Sequence, residues 1–568
     1  MLNFKAEMAN ILVEKIDSLD YEKIFSSIET PPNYEMGDYA FPVFSLAKVY
    51  RKNPNIIASE IAESINSDLF EKVESKAAYI NFFINKDKLA KEVLGAVYEA
   101  KEDYGKLTIG EGKNVIVEYS SPNIAKPFHI GHIRTTLIGD SIKKIYDFLG
   151  YNTISYNHLG DYGTQFGKLI VAIEKWGNEE EIKKNPIPEL LKLYVRINQE
   201  AEEDEALLEE CRHWFKKLEE GDEKAVEMWK WIREVSMEEF ERVYKILGIE
   251  FDTYKGESFY SDKMAAEVER MEQKGVLEES NGAKIVNLDE YNIPPALILK
   301  SDGSTIYLTR DVATASYRER EHSPEKMIYV VGSQQILHFK QLKYVLEKMG
   351  YDWSDKVVHI PFGMVSLQEG TLSTRKGNVV YLEDLLNKSI EKVMEILDNR
   401  EKERGQEIDD KEKLARQVGV GAIKFQELFN QRIKDYTFDW DNTLSFEGET
   451  GPYVQYTHAR INSILERGEF TPVTLDENLL VEESEVNLLR LIYNFSNVVV
   501  DAHEKYEPYF VTRHITELAK EFNKYYNSTQ ILVDDAKLKE QRLMLAYAVK
   551  TVLKSGLGLL GIEAPNKM

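Results

Sequence analysis

A chain of 568 residues holds several domains at about 100–200 residues each, and 43% hydrophobic with 30% charged residues excludes wholesale disorder or a fibrous repeat. The single cysteine, Cys211, excludes a disulfide framework and any multi-cysteine zinc site, and points to a reducing, cytoplasmic setting. No run reaches the about 18 apolar residues of a membrane span, and the net charge of −25 argues against indiscriminate nucleic-acid binding while leaving room for a local basic face.

Residues 1–110 read as a self-contained α+β domain. Phe4, Met8, Ile11, Leu12 and Ile16 recur at helical spacing, in a pattern unlike a signal peptide. Pro31-Pro32 breaks that pattern, Pro54 opens a second helix, and Ala78 to Ile84 alternates like a strand. A different rhythm begins at Val115-Ile116-Val117-Glu118: a short apolar strand, a polar loop, a helix over Ile133 to Leu149 ended by Gly150, then a strand over Thr153 to Tyr156. A second such unit runs from Met327–Val331 through a helix over Ile336 to Met349 to the strand Val357–Ile360. Two βαβ units predict a doubly wound parallel sheet with its ligand crevice at the carboxyl ends of the strands.

This doubly wound domain, residues 111–380, holds an inserted subdomain at about 166–295, since a plain connection would be far shorter. Leu297 to Leu308 around Asp302-Gly303 reads as a hairpin, with Asp311 starting the helix after it. Residues 381–447 read as a helical connector, solvated where charge alternates from Glu391 to Arg416, and residues 448–568 as an all-α bundle.

The segment Asn123 to His132 lies between the first strand and its helix, where backbone N–H groups and the helix dipole favour anions. His129 and His132, three apart, are expected on one helical face, with Gly131 leaving space for a flat base and Lys126 adding charge. These parts suit a nucleoside triphosphate. No GxGxxG or Gly-Lys-Ser/Thr motif is present, and no metal site is expected. Beyond the last strand, Gly363-Met364-Val365 and Leu372 to Asn378 offer Ser373, Arg375 and Lys376 to a pyrophosphate leaving group.

His129-Ile130-Gly131-His132 is a full match to the HIGH signature of class I aminoacyl-tRNA synthetases, and its flank Ser120 to Phe128 resembles the arginyl enzymes in particular. Gly37-Asp38-Tyr39-Ala40, Gly160 to Gly167 and Gly451 to Arg460 extend that resemblance over the whole chain. Thr371 to Arg375 stands where the class usually has Lys-Met-Ser-Lys-Ser, and the resemblance implies that Lys126 replaces the lost charge.

The resemblance implies an arginine–tRNA ligase, with a Rossmann-like catalytic domain, that uses ATP with Mg²⁺, L-arginine and tRNA(Arg), acts as a monomer without a membrane, and activates arginine only with tRNA bound. It implies an arginine pocket of Glu118, Asn123, Glu257, Tyr307, Asp311 and Gln335. It also implies ATP contacts at His129, Gly131, His132, Gly332, Met364 and Val365, and tRNA contacts at Tyr456, Tyr526 and Met568. Residues 1–110 would grip the tRNA corner and the bundle the anticodon. A small-molecule nucleotidylyltransferase and a non-catalytic tRNA-binding paralogue are the alternatives. The first needs no such flanking domains, and the second would not need both histidines, Lys126 and the acidic set.

Overall fold

The apolar run at Val115 forms the strand Asn114–Glu118, buried on both faces as a strand covered by helices must be. In the computed structural model, which describes residues 1–367, 381–405, 407–474 and 477–568, this strand is interior to a four-stranded parallel sheet. The order across the sheet is Val357–Phe362, Lys326–Gly332, Asn114–Glu118 and Asn152–Tyr156. The helix Ile133–Phe148 carries the chain to one side of the central pair and Ile336–Lys348 carries it to the other. The order therefore reverses between Asn114–Glu118 and Lys326–Gly332, and a crevice opens there at the carboxyl ends.

The insertion is a helical subdomain, Thr164–Trp176, Pro186–Glu203, Glu205–Glu220 and Glu223–Leu247, followed by a small antiparallel sheet that ends at Ala296–Leu299. The hairpin expected over Leu297 to Leu308 is only half present. After the turn at Asp302-Gly303, the returning arm makes one bridge, Leu299 to Thr305, and the helix Tyr307–His322 begins at once. Thr309 explains the early start: its hydroxyl donates to Ile298 O at 2.5 Å, which pins the first helical turn to the preceding strand. Asp311 therefore lies in the second turn and does not start the helix.

At the amino end, Tyr79–Ile84 is the middle strand of a three-stranded antiparallel sheet between Tyr39–Pro42 and Phe70–Lys76. This unit docks on the bundle helix Glu483–Lys505: Arg490 Nε meets Asp38 Oδ1 at 2.5 Å, and the Phe4 N–H donates to Tyr493 Oη at 2.9 Å. The bundle adds Gly451–Arg467, Tyr509–Ser528 and Ala536–Leu559, the first capped by the Thr450 hydroxyl. The charge-dense stretch after Tyr381 is not simply solvated. Its helices Leu382–Arg404 and Lys411–Leu428 pack Val393, Leu397, Leu414, Ala415 and Val418 into a core of their own. Among the described residues, no helix is long and apolar enough to cross a membrane.

Candidate active site

The loop after Glu118 is held in a costly conformation. Ser120, Ser121 and Ala125 all have positive φ, 70°, 48° and 58°, where residues with a Cβ are disfavoured. Hydrogen bonds from three elements fix it. The Ser120 N–H donates to the Thr135 hydroxyl at 3.0 Å, the Ala125 N–H to Ser236 Oγ on the insertion at 3.1 Å, and the Ile124 N–H to Gly160 O at 3.1 Å. Lys126 follows directly, half-buried, ahead of the two histidines.

His129 is the N-cap of a short 3-10 turn, Ile130–His132, that leads into the helix Ile133–Phe148, so the two imidazoles meet as a cap and not along one helical face. The Gly131 N–H donates to His129 Nδ1 at 3.0 Å and the His129 N–H donates to His132 Nδ1 at 3.2 Å, with the ring centroids 4.1 Å apart. Gly131 is required by this cap: a Cβ there would stand 2.7 Å from His129 Cε1. The missing side chain thus makes room, first of all, for the His129 ring itself. Burial lowers the His129 pKa, and burial followed by His129 lowers that of His132 to about 3. Both rings are therefore neutral near pH 7. Because each Nδ1 accepts a backbone N–H, each Nε2 carries the proton and serves as a donor.

Across the crevice the acidic residues are already paired. Glu118 Oε2 lies 2.6 Å from Arg318 Nη1, with the arginine completely buried over the Tyr156 ring. Glu257 Oε2 lies 3.0 Å from Arg310 Nη1, and the Arg310 guanidinium lies over the rings of Tyr162 and Tyr307 at 5.2 and 5.6 Å. Asp311 Oδ2 lies 2.5 Å from His338 Nε2, and Asp161 accepts from Arg233 Nε at 3.3 Å and from Ser258. Burial pushes the Glu257 pKa up to about 7; Arg310 opposes the rise, while Asp311 and Asp161 add to it. Glu118, Asp311 and Asp161 also act on His158, whose burial keeps it neutral.

The other predicted residues are spread around this centre. Tyr307 and Gln335 are exposed at its rim, and Asn123 is exposed where its backbone bridges Gly160. Gly332 ends its strand at the crevice, Met364 is exposed beyond the neighbouring strand and Val365 is buried. Ser373, Arg375 and Lys376 lie outside the described residues. Far away in the bundle, Arg460 lies against the rings of Tyr456 and Tyr526, at 4.8 and 5.2 Å, while Met568 packs on the Val393–Leu414 core. Among the described residues, no group of three acidic, histidine or cysteine side chains is placed to hold a metal ion.

A strained loop with a histidine cap facing a carboxylate cluster across a parallel-sheet switch point is matched by known proteins along the whole chain. The family described as tRNA synthetases class I (R), catalytic domain, matches residues 94–440. The arginyl-tRNA synthetase N-terminal domain matches residues 5–84, and the DALR anticodon binding domain matches residues 454–568. The arginine–tRNA ligases of Halothermothrix orenii and Clostridioides difficile are 56% and 55% identical to the chain, each over 100% of both sequences. The chain belongs to the class I arginyl-tRNA synthetases. Membership in this family makes it an enzyme, an arginine–tRNA ligase with ATP as a substrate. Solved arginyl-tRNA synthetases agree in fold. That of Plasmodium falciparum superimposes with a TM-score of 0.84 at 27% identity, covering 100% of this chain and 98% of its own. That of Thermus thermophilus gives 0.83 at 25% identity with both chains fully covered.

Sequence reasoning passed over Asp161 as a member of the acidic set, and over the partners of that set, Arg310, Arg318, His338 and Arg233. Asp161 lay within the Gly160–Gly167 motif and Arg310 beside Asp311, which were signals of proximity. Nothing local marked Arg318, which meets Glu118 only through the fold.

Proposed function

We propose that this arginyl-tRNA synthetase binds the substrate guanidinium at Glu118, Glu257 and Asp311, with Asn123, Tyr307 and Gln335 completing the pocket, and binds MgATP along His129, Gly131, His132, Gly332, Met364 and Val365. The observation that carries this reading is the convergence of buried and half-buried carboxylates beside the loop that leads from Glu118 to the histidines. A planar guanidinium is the cation best matched to several fixed carboxylates through charge-assisted bonds.

The arginine carboxylate attacks the α-phosphorus of ATP in line, pyrophosphate leaves, and the adenylate then gives its arginyl group to a hydroxyl of the tRNA 3′-terminal adenosine with release of AMP. No bond to the protein forms. The two imidazoles donate Nε2–H bonds to phosphate oxygens, and Lys126 supplies the charge that neutral rings do not, together with Ser373, Arg375 and Lys376. Preorganised donors of this kind require no rearrangement as charge moves to the leaving group.

In this reading the bundle holds the anticodon of tRNA(Arg), with Tyr456, Tyr526 and Met568 among the tRNA contacts. Residues 1–110 grip the tRNA corner, and the enzyme works as a cytoplasmic monomer. ATP–pyrophosphate exchange across the amino acids, with and without tRNA, tests it. Arginine alone should support exchange and tRNA should be required, because the compact ammonium of lysine does not fill a pocket set for a planar fork. Equal exchange with lysine would overturn the pocket, and full exchange without tRNA would overturn the requirement.

A further inference from the structure

The turn between the helix Lys411–Leu428 and the short strand Tyr436–Phe438 has no role in the account above, yet it is bonded to both sides of the molecule. Arg432 Nη1 donates to Pro361 O at 2.6 Å, on the catalytic strand Val357–Phe362. Its Nε donates at 3.0 Å to the carbonyl of Tyr506, the residue that caps the bundle helix Glu483–Lys505 in the left-handed region. The backbone repeats the bridge: the Arg432 N–H donates to Glu507 Oε1 at 3.2 Å, and its carbonyl accepts the Gly363 N–H at 2.9 Å.

Three residues on, Asp435 Oδ1 accepts the Met364 N–H at 2.6 Å, and the Tyr436 N–H donates to Met364 O at 3.1 Å. Both backbone groups of Met364 are thereby occupied by this turn. Gly363 admits no side chain, since a Cβ would stand 2.5 Å from Asp435 Oδ1 and 2.8 Å from Ile433 O. The histidine half of the site is tied to the same stretch. Arg134, two residues past His132, pairs with Glu427 at 2.7 Å and donates to Lys434 O at 2.8 Å, with both side chains of the pair buried.

A carbonyl just past a helix end has no partner within its helix, and a cation there meets the negative end of the helix dipole. A guanidinium satisfies it while a second N–H points elsewhere; an ammonium on a flexible stem lacks that fixed divergence. Burial lowers the pKa of Arg432 and raises that of Glu507, so both groups are drawn out of water, a cost consistent with a geometric role.

We propose that Arg432 is a positioning residue of the adenylation reaction: it fixes the Pro361–Met364 edge of the ATP site by tying it to the seated C-terminal bundle. A displacement of the helix end at Tyr506 then moves the ATP edge, whereas the carboxylates of the arginine pocket lie on other elements. The inference rests on the reading that Met364 borders ATP.

The test is tRNA-supported ATP–pyrophosphate exchange by the full-length chain, with KM for ATP and for arginine measured separately in Arg432→Gln, Arg432→Lys, Glu507→Gln and Met364→Trp. Arg432→Gln should raise the ATP KM about tenfold or more, the scale of one lost charge-assisted bond, with the arginine KM within about twofold of the parent. Arg432→Lys should recover part of that loss, because it keeps the charge and one of the two bonds. Glu507→Gln should shift the ATP KM in the same direction by a smaller factor. If Arg432→Gln fails to fold, the Lys and Glu507 variants carry the same comparison. An unchanged ATP KM in the folded Arg432 variants, or equal rises in both KM values, would overturn the inference while a raised ATP KM in Met364→Trp kept the ATP reading. A Met364→Trp enzyme with the parent's ATP KM would overturn that reading and the inference with it.

Discussion

The two sides of the crevice solve opposite electrostatic problems. On the side proposed to meet phosphate, where the ligand would be an anion, His129 and His132 are kept neutral by burial and aimed by backbone bonds to each Nδ1. On the side proposed to meet arginine, where the ligand would be a cation, Glu118, Glu257 and Asp161 are each met by a resident arginine and Asp311 by His338. A neutral donor needs no counter-ion when the site is empty; a cluster of carboxylates without one would repel itself, and even with Arg310 beside it burial raises the Glu257 pKa to about 7. In the proposed reading the phosphate half works by orientation, and the arginine half by carboxylates that already hold partners within the protein.

The largest break in this contrast comes from removing a resident cation. Arg318→Met leaves Glu118 buried without its partner, a change that costs about 3–5 kcal/mol in comparable pairs. The thermal unfolding midpoint should drop by several degrees, and the double variant Arg318→Met, Glu118→Leu should regain much of it. A single variant as stable as the parent would mean that the pair does not balance the site. Next in size is Asp311→Asn, which keeps the shape and removes one charge. At about 1.5–3 kcal/mol for a bond to a charged group, the arginine KM should rise roughly 10–150-fold with the ATP KM unchanged. Equal changes in both constants would blur the division between the halves. The smallest effect sharpens the comparison from outside the site. Arg242 and Glu383 make a well-formed pair at 2.9 Å, but the arginine side chain is 54% exposed. Arg242→Ala should cost under about 1 kcal/mol and leave both KM values alone, as measured by thermal unfolding and exchange.

The sequence was most legible where chemistry and periodicity coincide. Val115 to Glu118 reads as a buried strand with a carboxylate at its carboxyl end, and His129 to His132 reads as a helix start, because both patterns are local. The resident cations were not legible. Glu118 and Arg318 are 200 residues apart in sequence and meet only because the strand and the helix Tyr307–His322 share the crevice. The helix start at Tyr307 was hidden by Thr305-Ile306, which extend the strand-like pattern, while the bond from Thr309 that ends it is a tertiary feature. Between Glu391 and Arg416, dense charge masked the apolar stripe of Val393, Leu397 and Leu414. Spacing suggests at Gly131 only room for a ligand; the turn of the His129 ring over it is set by side-chain geometry that spacing does not encode.

The division between a neutral and a charge-balanced half is tested most directly by the pH dependence of arginine-supported exchange between pH 6 and 8.5. Glu257 has a folded-state pKa raised to about 7, and binding a guanidinium requires its ionised form. The arginine KM should therefore fall as pH rises through about 7, changing several-fold across the range, and Glu257→Gln should remove that dependence. The turnover number at saturating arginine and ATP should show no imidazole titration there, since burial lowers the His132 pKa to about 3 and lowers that of His129 as well. A turnover number that titrates between pH 6 and 7 and loses that titration in His129→Asn or His132→Asn, with an arginine KM indifferent to pH, would contradict the account.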